Sequence, residues 1–418
     1  MSTESLAAPS PLLLPDGRPA ASAWSLDPEV RHLNHGSFGA VPRAAQDAQA
    51  ALRRRMEASP VEWFPGQPQL IADARRRIAS YLRAPADGTA LVPNASAGAS
   101  VVYGSLPHRA GAEIVVTDHG YGAVTMGAAR LARRWGGAVR TAHVPLDATA
   151  DEAYRAVTDA FTDRTALAVV DHITSATARL MPVGRIAAEA RRRGIALLVD
   201  GAHAPGMLAD PLAGAEADYW VGNLHKFPCA PRGTAALVVR TGRRQDLHPL
   251  IDSWGATEPF PERFDHQGTV DATSYLAAPT ALDFVEDTWG WDRVRAYVTR
   301  LGDHAQRTVA AAFARFTGED HTVRVGMPAP ALRLVRLPDG LAGTREEADA
   351  LREEVVRRFR VAAAFTSFGG TGYVRLSAHA YNTPADYDHF AETCVPVLVD
   401  RARGEGAPAA YRPSASRW

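Results

Sequence analysis

The chain alternates short, wholly apolar runs with longer stretches whose apolar residues recur at helical spacing. Ile114–Thr117, Ala166–Asp171 and Ala196–Asp200 are apolar runs that end on polar residues, and Gly184–Arg193 is an amphipathic, Arg-studded stretch beside two of them. An apolar run without alternation is a strand covered on both faces. Strands separated by helices predict a mainly parallel sheet with helices on either side, an α/β fold. Such sheets bind ligands beyond the carboxyl ends of their strands, where Asp118, Asp171 and Asp200 fall. Further on, a helical segment around Asp283–Phe313 leads into strand-like Leu332–Arg336 and Tyr373–Ser377. This predicts a large domain over residues 23–279 and a smaller α+β domain over 280–402, with the N-terminal arm able to pack on the latter. Residues 1–22 and 403–418, rich in Ser, Ala and Pro, read as mobile tails.

Composition narrows the function classes. Acidic and basic residues balance at 46 each, and no basic stripe or DNA-binding motif stands out, so neither nucleic acid nor a membrane surface is an expected partner. The short apolar run Leu12–Leu14 is cut by prolines and has no basic flank, unlike a signal peptide. No apolar stretch reaches the roughly 20 residues that a spanning helix needs. Two cysteines, Cys229 and Cys394, cannot build a disulfide framework or a cysteine-only zinc cluster, and no metal is expected. These features together predict a cytoplasmic protein.

One number changes the picture. Of the 46 Lys and Arg residues, a single one is lysine, Lys226, and 45 are arginine. On a solvated surface the two substitute readily, so a lysine kept in such a chain is a candidate for what arginine cannot do. Arginine holds its proton; lysine can offer a free amine and form an imine. Lys226 follows the strand-like run Asp218–Asn223, and 26 residues upstream Asp200 ends another apolar run at Leu197-Leu198-Val199-Asp200-Gly201. One strand–helix–strand step therefore sets a carboxylate and an amine at one sheet edge. That pair suits pyridoxal 5'-phosphate: the carboxylate keeps the ring nitrogen protonated and the amine holds the aldehyde. A phosphate cradle is available in Pro93-Asn94-Ala95-Ser96-Ala97-Gly98-Ala99-Ser100, where small residues open a helix after the apolar Ala90-Leu91-Val92. Such residues also open ordinary helices.

The runs Asp200-Gly201-Ala202-His203, Asn223-Leu224-His225-Lys226 and Gly268-Thr269 resemble the class V aminotransferases, fold-type I pyridoxal-phosphate enzymes. Leu33–Gly39, Pro60–Phe64, Asp118–Ala123 and Asp171–Ser175 resemble the isopenicillin N epimerase-like branch in particular. The resemblance spans about residues 24 to 400. It implies a fold-type I architecture and a homodimer with shared active sites. Lys226 is then the Schiff-base lysine and Asp200 the partner of the ring nitrogen. His203 and Ser175 lie near the ring hydroxyl. Ala95 and Ser96 bind phosphate, with Asn223 and His225 helping and Thr269 reaching the neighbouring subunit's cofactor. His119 or its rival Tyr121 stacks on the ring. Arg375 clamps the substrate carboxylate, with Asn34 and His35 in the same pocket. His35, Tyr121 and His172 are eligible as a second base.

The expected substrate is an amino acid or a metabolite derived from one, and the expected reaction is epimerase-like at the α-carbon. A carbon–sulfur or other β-elimination lyase and an aminotransferase are alternatives on the same fold, and a non-catalytic cofactor-binding scaffold is a remote one. A persulfide-forming desulfurase needs a cysteine on a mobile loop. The resemblance puts that loop at residues 361–373, which contain no cysteine.

Overall fold

The computed structural model describes residues 7–404. A two-residue strand, β1 (Arg31–His32), precedes the strands of the main sheet. These are β2 (Thr89–Val92), β3 (Glu113–Thr117), β4 (Val139–Ala142), β5 (Thr165–Asp171), β6 (Ala196–Asp200), β7 (Tyr219–Asn223) and β8 (Ala235–Val239). They are followed by β9 (Leu332–Arg336), β10 (Val361–Ala362), β11 (Ala364–Phe368) and β12 (Thr371–Ser377). The main sheet runs in the order β2-β8-β7-β6-β5-β3-β4. Its central pairs are parallel, and β8 alone lies antiparallel to both its neighbours. Every residue of β3, β5, β6 and β7 is buried, as unalternating strands between two helical layers must be. The edge strand β4 instead exposes Arg140 and Thr141, charged and polar residues that discourage pairing with another chain. The amphipathic stretch between β5 and β6 forms the helix Val183–Arg192.

A smaller antiparallel sheet, β11-β12-β9, lies beyond two long helices, Thr273–Trp289 and Trp291–Thr317. Gly290 separates them at φ 78°, a conformation that costs glycine little. The 279/280 division expected from the sequence falls inside the first of these helices. The N-terminal arm packs on the small domain: β1 pairs with β10, and the Ser377 N–H donates to the Leu33 carbonyl at 3.0 Å. A seam of main-chain bonds joins the two sheets, including Leu180 N–H to Met327 at 2.7 Å and Ala329 N–H to Ala178 at 2.9 Å. Arg179, fully buried, donates to the carbonyls of Leu146 at 2.8 Å and Ala148 at 2.6 Å and so fixes the segment between β5 and that seam. Among the described residues no helix is long and apolar enough to cross a membrane.

The expectation of a mobile tail over residues 1–22 needs correction for the part described. Residues 7–22 lie packed on the protein. Leu12 is 5% exposed and joins the main core, and the Trp289 indole N–H donates to the Leu13 carbonyl at 2.7 Å. The prolines that interrupt Leu12–Leu14 stop a helix but not the burial of its side chains. Residues 1–6, and most of the expected tail at 403–418, lie outside the described residues. Emptying the Leu12 site therefore removes core contacts. Leu12→Ala is expected to lower unfolding free energy by about 2–4 kcal/mol, measured by urea denaturation, and an unchanged midpoint would show the segment to be undocked.

Candidate active site

Asp171 and Asp200 end neighbouring parallel strands and face each other in register. The next strand, β7, delivers Lys226 three residues past its end. All three residues are buried, so the strand-and-turn pattern read from the sequence brings two carboxylates and one amine into a space largely closed to water. Burial pushes the Lys226 amine down to about 7, helped by Arg375 and opposed by the two carboxylates. A neutral amine at neutral pH is a nucleophile. Burial and the neighbouring Asp200 hold Asp171 well above the usual carboxylate range, so Asp171 is the member of the pair that keeps a proton. Asp200 is raised by burial, against the Ala202 N–H that its Oδ1 accepts at 3.0 Å. His203 Nε2 lies 3.0 Å from Lys226 Nζ and 2.9 Å from the Gly36 carbonyl.

Arg375 on β12 brings a second cation to the same space. Its guanidinium donates to Ser175 O at 2.6 Å, Ser175 Oγ at 3.2 Å, Asn34 Oδ1 at 3.1 Å and Ser37 Oγ at 2.9 Å. Its Nε is buried without a partner, and no carboxylate pairs with it among the described residues. Burial lowers its affinity for a proton to about 10. A buried guanidinium bonded only by neutral oxygens favours an anion that brings the missing charge.

The helix Ala95–Ser105 begins beside these groups. The Ala95 N–H donates to Asn223 Oδ1 and the Ala97 N–H to Asn94 Oδ1, both at 2.8 Å. Asn223 thus ties the helix start to the end of β7, and Ser96 stands partly exposed between the two bonds. A Cβ at Gly98 would come within 2.6 Å of Val221 Cγ2, so glycine is what lets this helix press its positive end against the strand carrying the lysine. These residues fit pyridoxal 5'-phosphate. Asp200 Oδ2, without a hydrogen-bond partner among the described residues, suits a protonated ring nitrogen. Lys226 suits the aldehyde, and the helix start suits the phosphate.

Other residues expected at the site are placed differently from one another. His225 turns aside, its Nδ1 donating to the Thr234 carbonyl at 3.1 Å. His119 is buried with both ring nitrogens engaged, by Thr177 Oγ1 and the Val144 carbonyl at 2.7 Å each, and stacks on Phe368 at 4.3 Å. Tyr121 is 45% exposed and electrostatically coupled to Arg375. His172 is buried and accepts from the Trp220 indole at 3.4 Å. His35 does not line the pocket. It is fully buried, its Nε2 donating to the Lys226 carbonyl and its Nδ1 accepting from Tyr381, both at 2.9 Å. The helical turn His35–Phe38 aims the imidazole inward and leaves Asn34 and Ser37 to meet Arg375. Thr269 lies on the exposed loop and lines a cavity of about 410 Å3 with Trp254 and Phe64, a cavity that Lys226 does not line. Ser37, His379 and Tyr381 were missed as contributors. For Ser37 the available signal was the Leu33–Gly39 motif that contains it, and for His379 and Tyr381 the alternation Arg375, Ser377, His379, Tyr381 running on past β12.

Residues 67–331 match the family described as aminotransferase class-V. The chain belongs to that family. It is a pyridoxal-phosphate-dependent enzyme. It is 32% identical over 397 residues to an isopenicillin N epimerase of Streptomyces clavuligerus, covering 90% of this chain and 97% of the relative. It is 26% identical to an L-cysteine desulfhydrase of Arabidopsis thaliana, covering 91% and 90% of the two chains. Among solved structures, the cystine C-S lyase C-DES in complex with its product cysteine persulfide superposes with a TM-score of 0.75 at 19% identity, over 89% of this chain and 97% of that one. That likeness is one of fold.

The depressed lysine sets a pH dependence. Below its pKa of about 7 the Lys226 amine is protonated and inert toward an aldehyde; above it the amine is free. Covalent capture of pyridoxal phosphate by the cofactor-free protein should rise about tenfold per pH unit on the acid side and level off near neutrality. Stopped-flow absorbance checks this, and a rate still climbing at pH 9 would mean that the amine titrates like a solvated lysine.

Proposed function

We propose that the enzyme rearranges bonds at the α-carbon of an amino acid or amino-acid-derived metabolite, in an epimerase-like reaction with Lys226 as the cofactor lysine. The observation that carries this reading is the buried, anion-less guanidinium of Arg375 in the same closed space as the Lys226 amine. A substrate carboxylate completes the charge there, and its α-carbon is then held near the amine. Bound, the cofactor's protonated ring withdraws electrons from the α-carbon and loosens its bonds. Asp200 holds the ring proton, the start of the helix Ala95–Ser105 holds the phosphate, and Lys226 moves the α-proton on one face. We assign the opposite face to Tyr121, the one of the three eligible residues that is exposed and that acts electrostatically on Arg375. There its ring covers the cofactor and its hydroxyl serves as the second proton carrier.

The full-length likeness to an isopenicillin N epimerase supports this reading. The likeness to a desulfhydrase favours a second one, a β-elimination that releases its product without a protein cysteine. Both cysteines are buried, with Cys394 pushed up to about 11 and Cys229 higher still, so neither is a ready thiolate. The deciding experiment incubates the enzyme in heavy water with isopenicillin N and a panel of amino acids. The expected result is deuterium at the α-carbon with inversion and no other product. Keto acid with ammonia would establish elimination instead, and an aminated cofactor would establish transamination.

Two sites shared across a homodimer belong to the same proposal. Phe38, Val61, Met126, Leu250, Ile251 and Trp254 are large apolar side chains in the open, Trp254 at 96%, and their cover by a second chain is part of this reading. Thr269, on a cavity that its own chain's lysine does not line, then reaches the partner's phosphate. A Lys226→Ala chain paired with a Thr269→Ala chain should give one normal site and one doubly damaged site. About half of wild-type activity is therefore expected, whereas a threonine acting within its own chain would leave no normal site, and a monomer by light scattering would remove the idea.

A further inference from the structure

Behind the main chain of Lys226 lies a cluster that the proposed chemistry does not use. His35 and His379 stack face to face, centroids 3.8 Å apart and planes 16° from parallel. His35 Nε2 donates to the Lys226 carbonyl at 2.9 Å, and His379 Nε2 donates to the Phe227 carbonyl at 3.1 Å. Carbonyls only accept, so both rings carry their proton on Nε2 and are otherwise neutral. The Tyr381 hydroxyl donates to the remaining nitrogen of His35. Cys229, whose N–H closes the turn on the Lys226 carbonyl at 2.9 Å, brings its Sγ within 3.4 Å of His379 Nε2. The three side chains are close enough to suggest a metal site. Their geometry is wrong for one: a metal lies in the plane of each ligating ring, about 2 Å from its nitrogen, and two stacked rings do not converge on a point. Both Nε2 lone pairs are also taken up by protons.

We propose that His35 and His379 are positioning residues that clamp the lysine turn by its two carbonyls. His35 comes from the N-terminal arm and His379 from the segment after β12, so the clamp forms only when both are docked against the large domain. The arm passes so close that a Cβ at Gly39 would lie 2.0 Å from the His225 carbonyl oxygen, and Arg232 donates to the Gly39 carbonyl at 3.0 Å. The direction of the Lys226 side chain is thereby set from outside the domain that carries it. The titratable and charged groups facing the pair are His32, Tyr381, Cys229 and Arg232. Burial keeps both rings from charging, with His379 down to about 4, so the clamp holds across the neutral range.

The proposal rests on Lys226 being the cofactor lysine, and borohydride reduction followed by peptide mass spectrometry tests that separately. Absence of an adduct on Lys226 would sink that assignment while leaving the ring states to be judged on their own. In the wild-type holoenzyme, 15N-histidine NMR should show two rings with the proton on Nε2 and no titration between about pH 5 and 9. A ring that titrates there, or holds its proton on Nδ1, would overturn the clamp. His379→Leu should bind cofactor but shift the pH midpoint of its visible absorption by about one unit or more, and His379→Gln, which restores a donor, should return it toward wild type. An unshifted midpoint in the folded His379→Leu enzyme would also overturn the proposal. Should that variant fail to fold, Tyr381→Phe decides: the Lys226 carbonyl is expected to keep the His35 proton on Nε2 without the hydroxyl, and a proton moved to Nδ1 in the 15N spectrum would overturn the clamp.

Discussion

Two cations and two carboxylates share a space from which water has been removed, and the rest of the site follows from how they balance. Lys226 is repelled by Arg375 and attracted by Asp200 and Asp171, whereas burial dominates at Arg375. Charges in a poorly solvated space interact strongly and cost much to bury. The protein relieves the strain by shifting protons: the amine tends to give one up and Asp171 tends to keep one. What remains is a guanidinium short of an anion and a carboxylate, Asp200, short of a cation. On the proposed reading a cofactor with a protonated ring and a substrate with a carboxylate supply both. Binding and catalytic readiness thus have one electrostatic origin.

That balance requires residues from three separate parts of the chain to arrive together. Asp171, Asp200 and Lys226 come from adjacent strand ends of the main sheet. Arg375 comes from the small sheet, and its partners Asn34 and Ser37 from the N-terminal arm. The Arg179 anchor and the main-chain seam at residues 178–180 and 327–329 hold the Ser175 segment where Arg375 can reach it. Phe368 at the turn between β11 and β12 stacks on His119, so the hairpin that ends in Arg375 is pinned at its far end as well. His119 thereby serves the docking of the small sheet, a role independent of our assignment of Tyr121 to the face of the cofactor.

Local pattern was legible and long-range pairing was not. Ala196–Asp200 could be read to the residue because burial on both faces leaves an unbroken apolar run that ends at a turn; Leu332–Arg336 was read to the residue as well, although Arg333 interrupts its apolar residues. Lys226 stood out for a different reason: every other member of the Lys and Arg set is arginine, so a lone lysine is itself informative. Residues 7–22 were misread because prolines and small residues look alike in a tail and in a docked extended segment; only the contact of Leu13 with Trp289, 276 positions away, separates the two. His35 was misread on similar grounds. Its motif pointed to the pocket, but its partner Tyr381 lies 346 positions away and determines that the ring faces the core. No periodicity within a window of ten or twenty residues carries that information.

The same long-range geometry bears on which reaction the site performs. A sulfur-carrying enzyme needs a thiol on a segment free to swing into the pocket. Here the corresponding segment is a tight hairpin, turned at Gly369-Gly370 and held by Phe368 on His119 and by Thr366 Oγ1 on the Ala176 carbonyl at 2.9 Å. Its strand β12 must also stay in place to present Arg375. A loop cannot both swing and hold a buried guanidinium in a fixed cradle. On the proposed reading the hairpin serves substrate recognition, and the chemistry is left to groups around the α-carbon: Lys226 on one side and Tyr121 on the other. An arrangement that grips the carboxylate firmly and offers a proton carrier to each face favours returning the α-proton over passing sulfur to the protein.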